Sequence, residues 1–425
     1  MMPLSRPEAG PDRRLRILES IIVLAVIAAA FYPGLAKLTF HVDESHWIGL
    51  SAPFEAFVGG RFTDPIWQTR PDKATNATVT YYVIGAARRI GGYPPERLNR
   101  PWRWFIPREV NVAEGRAPEP GLLWWSRAGV TTMAVVALWV LFIVLLSAAG
   151  RPTAYAWLAL ALVNPYLRGT LRHAMNEGVL LCWIALAAYA TFRGLPHVER
   201  PAGAPGAGLR AAAWLAAGAM AAGLAAQTKL NGALAAAGMI AVVVLATMRV
   251  PGGWAARARR AGFAALFIGG LSFTTFVAAN PSMWPDPVRE SVRAVRARAE
   301  VTRAQSQMPD GRLLEGRPGR AAIVLRRVFS DHATVPLRAA GPILFAAGAG
   351  AAIAGLFAWT RRRHQNHALA SLVAIGAAAS LPMLFTPLDR PRFYMLPVVY
   401  FGMATTAGLV WTASRIRRHV RRGDA

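Results

Sequence analysis

The densest group of chemically active side chains lies in one short segment, His41-Val42-Asp43-Glu44-Ser45-His46-Trp47. Two adjacent carboxylates lie there between two imidazoles, and an indole follows. A carboxylate can accept a proton from a hydroxyl group, whereas neutral imidazoles can form hydrogen bonds or hold a divalent metal ion. The segment directly follows an apolar stretch, and ionisable groups at a membrane edge are functional by default. We therefore predict a functional site here, with metal binding by His41 and His46 as an alternative.

Basic residues gather in short connections between apolar stretches, although such connections should be poor in lysine and arginine if they face outwards. Each cation alone would serve as an anchor for lipid headgroups, but together they suit an anionic ligand such as a lipid phosphate. These residues are Arg168, Arg172, His173, Lys229, Arg390 and Arg392, and Arg127 joins them at the outer start of the second span. Trp67, Trp102 and Trp104 lie within a long polar segment, where indoles can form a platform for a sugar ring or an acceptor.

The elements that must position these residues are membrane spans. Only 16% of the 425 residues are charged and 54% are hydrophobic, whereas a soluble domain is about 25% charged. A helix needs about 20 apolar residues to cross a bilayer. Such stretches cover residues 18–36, 123–147, 153–167, 178–192, 212–226, 230–248, 261–280, 341–359, 368–385 and 393–413. The predicted fold class is an all-α polytopic integral membrane protein with about ten transmembrane helices, in a single domain, 1–425.

The nearly continuous apolar sequence 212–248 must form two spans. A single helix of that length would reach about 55 Å, far beyond the width of a bilayer. Lys229 near its centre would also cost about 3 kcal/mol. We therefore predict a helix break at Gln227-Thr228-Lys229-Leu230-Asn231, with Lys229 at a turn on the outer side.

The distribution of arginines predicts that both termini are cytoplasmic, because arginines recur in the two tails and after every second span. The segments 37–122 and 281–340 then form the first and second external loops. The net charge of +26 follows from this pattern and from contact with anionic lipid, so we expect no nucleic-acid binding. The single cysteine, Cys182, lies in an apolar stretch and excludes an intramolecular disulfide.

A series of short motifs resembles the GT-C superfamily of glycosyltransferases, and within it the protein O-mannosyltransferase-like branch that uses polyprenyl- or dolichyl-phosphate-linked sugars. No single motif is specific, but their order and their places between the spans match the superfamily. They are Asp43-Glu44-Ser45-His46-Trp47-Ile48-Gly49, Ser126-Arg127-Ala128-Gly129, Asn164-Pro165, Gly223-Leu224 with Thr228-Lys229-Leu230-Asn231-Gly232, Asn280-Pro281-Ser282-Met283-Trp284-Pro285-Asp286-Pro287, and Arg390-Pro391-Arg392-Phe393-Tyr394-Met395-Leu396-Pro397. The chain departs from the pattern at Lys73-Ala74-Thr75-Asn76, where a Pro-Pro turn is usual, and at Asn176-Glu177, where a lone Asp often opens the fourth span.

The resemblance implies transfer of a sugar, with mannose as one candidate, from the lipid phosphate to a hydroxyl group with inversion at the anomeric carbon. It implies that Asp43 is the general base and that Glu44 orients Asp43 or the acceptor. The residues expected near the acceptor are His46, Trp47 and Trp67, and those expected near the donor phosphate are Arg127, Arg172, Lys229, Arg390 and Arg392. No cofactor is expected, although other branches of the superfamily use a divalent metal. The site would face the outside of a cell membrane, and the partners would be the polyprenyl-phosphate-linked sugar, membrane lipids and a protein, lipid or glycan acceptor.

Two other classes of function remain open. A transporter or lipid flippase would place charged residues near the middle of the bilayer and would often contain repeated halves. In this chain the acids lie at the membrane edge and no repeat is visible. A non-catalytic scaffold would not need the acid and imidazole side chains. The positions of Asp43, Arg127 and Lys229 distinguish these functions, because one outward cavity supports the enzyme and a central tunnel supports the transporter.

Overall fold

The computed structural model describes residues 12–69, 78–200, 206–306, 317–333, 340–360, 366–384 and 389–423. In chain order the helices are α1 (Asp12–Phe31), α2 (Val42–Gly49), α3 (Pro53–Val58), α4 (Ile66–Thr69), α5 (Val79–Ile90), α6 (Arg108–Ala113), α7 (Pro120–Val163), α8 (Pro165–Thr170), α9 (Asn176–Val198), α10 (Ala207–Thr228), α11 (Leu234–Arg249), α12 (Trp254–Ala278), α13 (Pro287–Ser306), α14 (Arg317–Arg326), α15 (Ala340–Thr360), α16 (His367–Ser380) and α17 (Met395–Gly423). The described residues contain no β-strand, so the predicted all-α fold class is confirmed.

The long helices match the predicted membrane spans. Eight helices have at least 18 residues and are apolar enough to cross a membrane. One of these, α7, has 44 residues, and Gly150 interrupts it with φ 81° and ψ 172°. Glycine adopts such a positive φ without a steric penalty, so α7 bends there and supplies two consecutive spans. A shorter apolar stretch, His367–Met383, completes the predicted set.

The break between the fifth and sixth spans occurs at Lys229, as predicted. α10 ends at Thr228, Lys229 is extended, and a 3-10 turn over Leu230–Ala233 leads into α11. The turn is tight, because a Cβ atom on Gly232 would lie only 2.3 Å from the carbonyl oxygen of Ala225. Lys229 therefore lies at the tip of a helical hairpin and outside both spans.

Most of the spans share one apolar core. α9 packs against α7 and α10, α11 packs against α12 and α16, and α17 packs against α15 and α7. Small residues allow the close approach of these helices: a Cβ on Gly223 would lie 2.4 Å from the carbonyl oxygen of Ser272 in α12. The lipid chains around the bundle are as apolar as its core. Close packing, rather than a hydrophobic driving force, therefore holds membrane helices together.

At one end of the bundle, α2 and α5 contact α7, α5 also contacts α9 and α10, and α3 packs on α5. We call this the α2 end. A second apolar cluster lies there, in which Trp47 and Ile48 of α2 pack with Tyr81 and Ile84 of α5 and with Val130 of α7. The turn before α9, the tip that carries Lys229 and the segment before α17 reach the same end, because their residues contact α2 or each other.

Candidate active site

α2 begins with a pair of reciprocal caps. The backbone N–H of Asp43 donates a hydrogen bond to Nδ1 of His41 at 3.2 Å, and the backbone N–H of His41 donates to the Glu44 carboxylate at 3.0 Å. This capping box satisfies N–H groups that the first helical turn leaves unpaired. The two neighbouring acids differ in exposure. Glu44 is fully buried, whereas the side chain of Asp43 remains 14% exposed.

Glu44 belongs to a completely buried ion pair. Nε and Nη2 of Arg127 donate hydrogen bonds to its two oxygens at 2.8 and 2.7 Å, and the backbone N–H of Ala174 donates a third at 2.9 Å. The remaining N–H groups of Arg127 donate to the carbonyl oxygens of Leu35, Leu38 and Thr39. A guanidinium has five N–H groups, and these contacts use all of them.

The contacts of this pair bear on two sequence-based assignments. Arg127 has no N–H left for a donor phosphate, so the structure argues against the phosphate-binding role predicted for it. Glu44 has no exposed surface from which to orient an acceptor. Instead, the pair joins the segment after α1, the start of α2, the helix α7 and the turn before α9. Glu44 and Arg127 therefore hold the scaffold from which Asp43 projects.

Asp43 lies beside Arg392, which precedes α17. Its Oδ2 accepts a hydrogen bond from Nη1 of Arg392 and lies 4.0 Å from Nδ1 of His41. Burial raises the pKa of Asp43, but Arg392, His41 and His46 together outweigh burial, so the pKa lies below its usual value. Asp43 is consequently ionised at neutral pH. A partly exposed, ionised carboxylate can take the proton of a hydroxyl group.

The imidazoles flank this carboxylate. Burial lowers the pKa of His41, Asp43 opposes that shift and Arg392 adds to it, so His41 is neutral at neutral pH. His46 lies one helical turn after Asp43, where residues three apart share a face of the helix. The ring of His46 is 5.4 Å from that of Trp104, and Trp104 is 51% exposed. His46 and Trp104 thus border the face of α2 that carries Asp43.

Trp47 and Trp67 lie elsewhere. Trp47 is 7% exposed and packs on Tyr81 with ring centroids 5.0 Å apart. Trp67 is 1% exposed, and its Nε1 donates a hydrogen bond to the carbonyl oxygen of Arg61. Both indoles belong to the interior, so the structure argues against the acceptor contacts predicted for them. Among the tryptophans considered from the sequence, Trp104 is better placed for that role.

Glu177 and Lys229 form a second ion pair at the α2 end. Glu177 opens α9 with a side chain only 2% exposed, and Nζ of Lys229 lies 3.6 Å from its Oε1. Neither Glu177 oxygen accepts a hydrogen bond from the residues that the structure describes. Nζ of Lys229 also lies 4.9 Å from the ring centre of Phe393. Burial lowers the pKa of Lys229 to about 8; Glu177 opposes this shift, whereas Arg392 and Arg298 add to it.

Two further arginines, Arg298 and Arg390, extend this group. Burial lowers the pKa of Arg298 on α13, and the nearby charges of Arg392 and Arg390 lower it further. Arg172, by contrast, is 5% exposed, and its Nη2 donates to the carbonyl oxygen of Pro33 at the end of α1. That contact uses one N–H group of Arg172, whereas its buried Nε has no hydrogen-bond partner among the described residues, so the phosphate contact of Arg172 stays a prediction. We use the name charged cluster for the interacting residues Asp43, Glu177, Lys229, Arg298, Arg390 and Arg392.

The charged cluster contains four cations and two carboxylates, so it carries excess positive charge for an anionic ligand. It lies at one end of the bundle, as an enzyme with a surface-facing site requires. Within the described ranges, no three His, Cys, Asp or Glu side chains approach closely enough to hold a metal ion. Asp43 and Glu177 each face a cation instead, and a metal-free reaction remains our prediction.

Sequence reasoning missed Glu177 and Arg298 as candidates. The sequence could have identified Glu177, because it is an acid at the edge of an apolar span where the superfamily often has an Asp. It could not have identified Arg298, because Arg298 is one of several arginines on α13, and only the folded chain brings it near Arg390 and Arg392.

Solved structures that share this architecture include membrane glycosyltransferases. ArnT from Cupriavidus metallidurans in the apo state aligns with a TM-score of 0.51 and 15% identity, over 93% of this chain and 60% of that one. Its form bound to undecaprenyl phosphate gives a TM-score of 0.50 and 16% identity, over 92% of this chain and 59% of that one. The Archaeoglobus fulgidus oligosaccharyltransferase tethered with an acceptor peptide gives 0.51 and 13%, over 94% and 50%.

These likenesses show that the chain shares the fold of these membrane glycosyltransferases, as the motifs predict. The chain spans only 50% to 60% of the length of these neighbours, and the identities are too low to transfer more than the fold. Neither the protein-family models nor the curated proteins include a match to the chain.

Proposed function

We propose that the chain is a membrane glycosyltransferase that moves a sugar from a polyprenyl-phosphate-linked donor to a hydroxyl acceptor at the external face of a cell membrane. The observation that carries this proposal is the contact between ionised Asp43 and a group of cations at one end of the bundle. Transfer from a phosphate needs a base for the acceptor proton and positive charge for the leaving group. The GT-C fold adds support, because one neighbour is bound to undecaprenyl phosphate and another is tethered with an acceptor peptide.

The reaction is a single displacement. The acceptor oxygen forms a bond to the anomeric carbon as Asp43 takes the hydroxyl proton. The bond between that carbon and the phosphate oxygen breaks, and the lipid phosphate leaves with the electron pair. Attack from the side opposite the leaving group inverts the anomeric carbon. Lys229 and Arg392 stabilise the charge that develops on the phosphate, and Arg390 and Arg298 add positive potential.

His46 and Trp104 border Asp43 and would contact the acceptor. Within this proposal mannose is one candidate for the transferred sugar, as the resembling branch implies, and the acceptor is a hydroxyl group of a protein, lipid or glycan. Both termini are cytoplasmic, so that the α2 end faces outwards.

The transporter alternative has less support, because the charged cluster gathers at one end of the bundle rather than at its middle.

Purified chain in lipid nanodiscs tests this function with a panel of radiolabelled polyprenyl-phosphate-linked sugars that includes mannose. We expect one donor to lose its sugar only when a hydroxyl acceptor is present, with release of polyprenyl phosphate. Mass analysis of envelope glycans and glycoproteins, from cells with and without the chain, identifies the acceptor. If the chain binds these donors but releases no polyprenyl phosphate with any acceptor tested, the proposal is contradicted.

A further inference from the structure

A further acid–base contact joins the end of the second predicted external loop to the segment before α17. Nε and Nη2 of Arg327 donate hydrogen bonds to Oδ1 and Oδ2 of Asp389 at 3.1 and 2.5 Å. The Asp389 side chain is 8% exposed and that of Arg327 is 18% exposed. Two parallel bonds between planar groups fix their orientation as well as their distance. Asp389 is therefore held rigidly from outside its own segment.

The same segment is held at two more points. The hydroxyl of Tyr394 donates to Oδ1 of Asp389 at 2.8 Å, and the hydroxyl of Tyr166 donates to the carbonyl oxygen of Pro391 at 2.6 Å. The Tyr166 ring stacks on His332, with centroids 4.0 Å apart and an interplanar angle of 17°. His332 directly follows the π-helical turn that contains Arg327, so this turn supports the segment through both contacts.

Arg392 lies between these fixed points. Only Arg390 and Pro391 separate it from Asp389, and the proline ring restricts the φ angle of the connecting backbone. Pro391 also opens a 3-10 turn that continues to Tyr394. A short, restrained connection of this kind leaves the Arg392 backbone little freedom to move relative to Asp389.

We propose that Arg327 and Asp389 are positioning residues that hold the Arg392 guanidinium against Asp43. This inference rests on the proposed function, because it concerns the base and the cation of the same site. Arg327 and Asp389 act through Arg392 and through the backbone that carries it. If the bidentate contact is lost, Arg392 moves away from Asp43, and the carboxylate loses the strongest of the charges that keep it ionised.

The pH dependence of the reaction separates positioning from a merely structural role. Transfer needs ionised Asp43, so kcat/KM falls on the acid side of its pKa. An opposite charge at close range lowers a carboxyl pKa by about 1 unit or more. Displacement of Arg392 therefore raises the pKa of Asp43 and moves the acid limb to higher pH. A loss of stability alone lowers the amount of active protein and leaves that limb in place.

The experiment measures kcat/KM against pH for sugar transfer by the wild-type chain and by Asp389→Asn, Arg327→Gln and Arg392→Gln. We expect all three substitutions to move the acid limb upward by about 1 unit, and Asp389→Glu to restore it towards wild type. Asp331→Asn is the matched control, because Nη1 of Arg327 also donates to Asp331 at 2.8 Å, yet that contact does not involve Asp389. It should leave the limb unmoved.

An unmoved limb in Asp389→Asn and Arg327→Gln, or in Arg392→Gln, overturns the inference. Two independent substitutions on the two partners keep the test decisive if one variant does not fold. Failure of the proposed function has a different signature, because the wild-type chain would then release no polyprenyl phosphate with any acceptor. Failure of the base assignment alone would appear as full transfer activity in Asp43→Asn.

Discussion

Two ion pairs at the α2 end each join a buried glutamate to a cation, but they differ in their hydrogen bonds. In the Glu44–Arg127 pair, the carboxylate accepts hydrogen bonds from Arg127 and from two backbone N–H groups, and every N–H of the arginine is used. In the Glu177–Lys229 pair, the carboxylate is as deeply buried but accepts no hydrogen bond from a described residue. Its cation is 3.6 Å away and 22% exposed.

The difference indicates which pair is scaffold and which is site. A buried charge with all its hydrogen bonds formed is committed to one arrangement, and removal of one partner is costly. A buried carboxylate without such bonds needs an explanation, and within the proposed function the hydroxyl groups of a bound sugar would donate the missing hydrogen bonds. We therefore infer that Glu44 and Arg127 shape the site, whereas Glu177 and Lys229 meet the substrate.

Glu44→Gln should have the largest effect on folding. It removes the negative charge opposite Arg127 and leaves a fully buried cation without compensation, which costs about 3–5 kcal/mol. We expect little folded protein after solubilisation, measured by size-exclusion chromatography and by the thermal unfolding midpoint in detergent. This expectation replaces the mild effect that a purely orienting role of Glu44 would give.

Glu177→Gln is the matched comparison. Lys229 is partly exposed and Glu177 makes no hydrogen bond to the described residues, so the folded protein should persist with an unfolding midpoint close to that of wild type. Equal destabilisation by the two substitutions would abolish the distinction between scaffold and site.

Lys229→Ala should leave the fold intact and weaken use of the donor. A charge-assisted contact to phosphate contributes about 1.5–3 kcal/mol, so the donor KM should rise roughly ten- to a hundredfold. Lys229→Arg keeps the positive charge and should lose less. Steady-state kinetics with the lipid-linked donor provide the measurement, and an unchanged donor KM in folded Lys229→Ala would make Lys229 an anchor for lipid headgroups.

The pH dependence of donor binding also tests whether Lys229 binds the donor through its charge. The pKa of Lys229 is lowered to about 8, so Lys229 is charged below that pH and loses its charge as the pH rises through it. The donor KM should consequently rise by about tenfold between pH 7 and pH 9. Arginine stays charged throughout this range, so Lys229→Arg should show no such rise. The same increase in wild type and Lys229→Arg would assign it to another group.

The spans were predictable because a bilayer imposes a length and an apolar composition on each of them. The break at Lys229 followed from the same physics, since one helix could not contain the whole stretch. The division of α7 at Gly150 was predictable in the same way, because the predicted spans 123–147 and 153–167 leave Gly150 and Arg151 between them.

The proximity of Asp43, Lys229 and Arg392 was predictable from the sequence, but the different surroundings of Asp43 and Glu44 were not. Adjacent residues of a helix point in different directions, so Asp43 and Glu44 separate as soon as α2 forms. Burial of Trp47 and Trp67 depends on α5 and the turns around it, which no local pattern specifies. The partners of Arg127 and Asp389 lie 83 and 62 positions away in the chain, and such distant contacts arise only from the fold.

The most direct test of the account is the turnover of Asp43→Asn in nanodiscs, measured beside the binding of radiolabelled donor. Asparagine keeps the size of aspartate but cannot take up the acceptor proton, and loss of a general base lowers rates by about 10² to 10⁴. We expect turnover to fall within that range while the donor still binds, because Arg392 and Lys229 remain in place. Wild-type turnover in Asp43→Asn would contradict the assignment of Asp43 as the base and the proposed reaction with it.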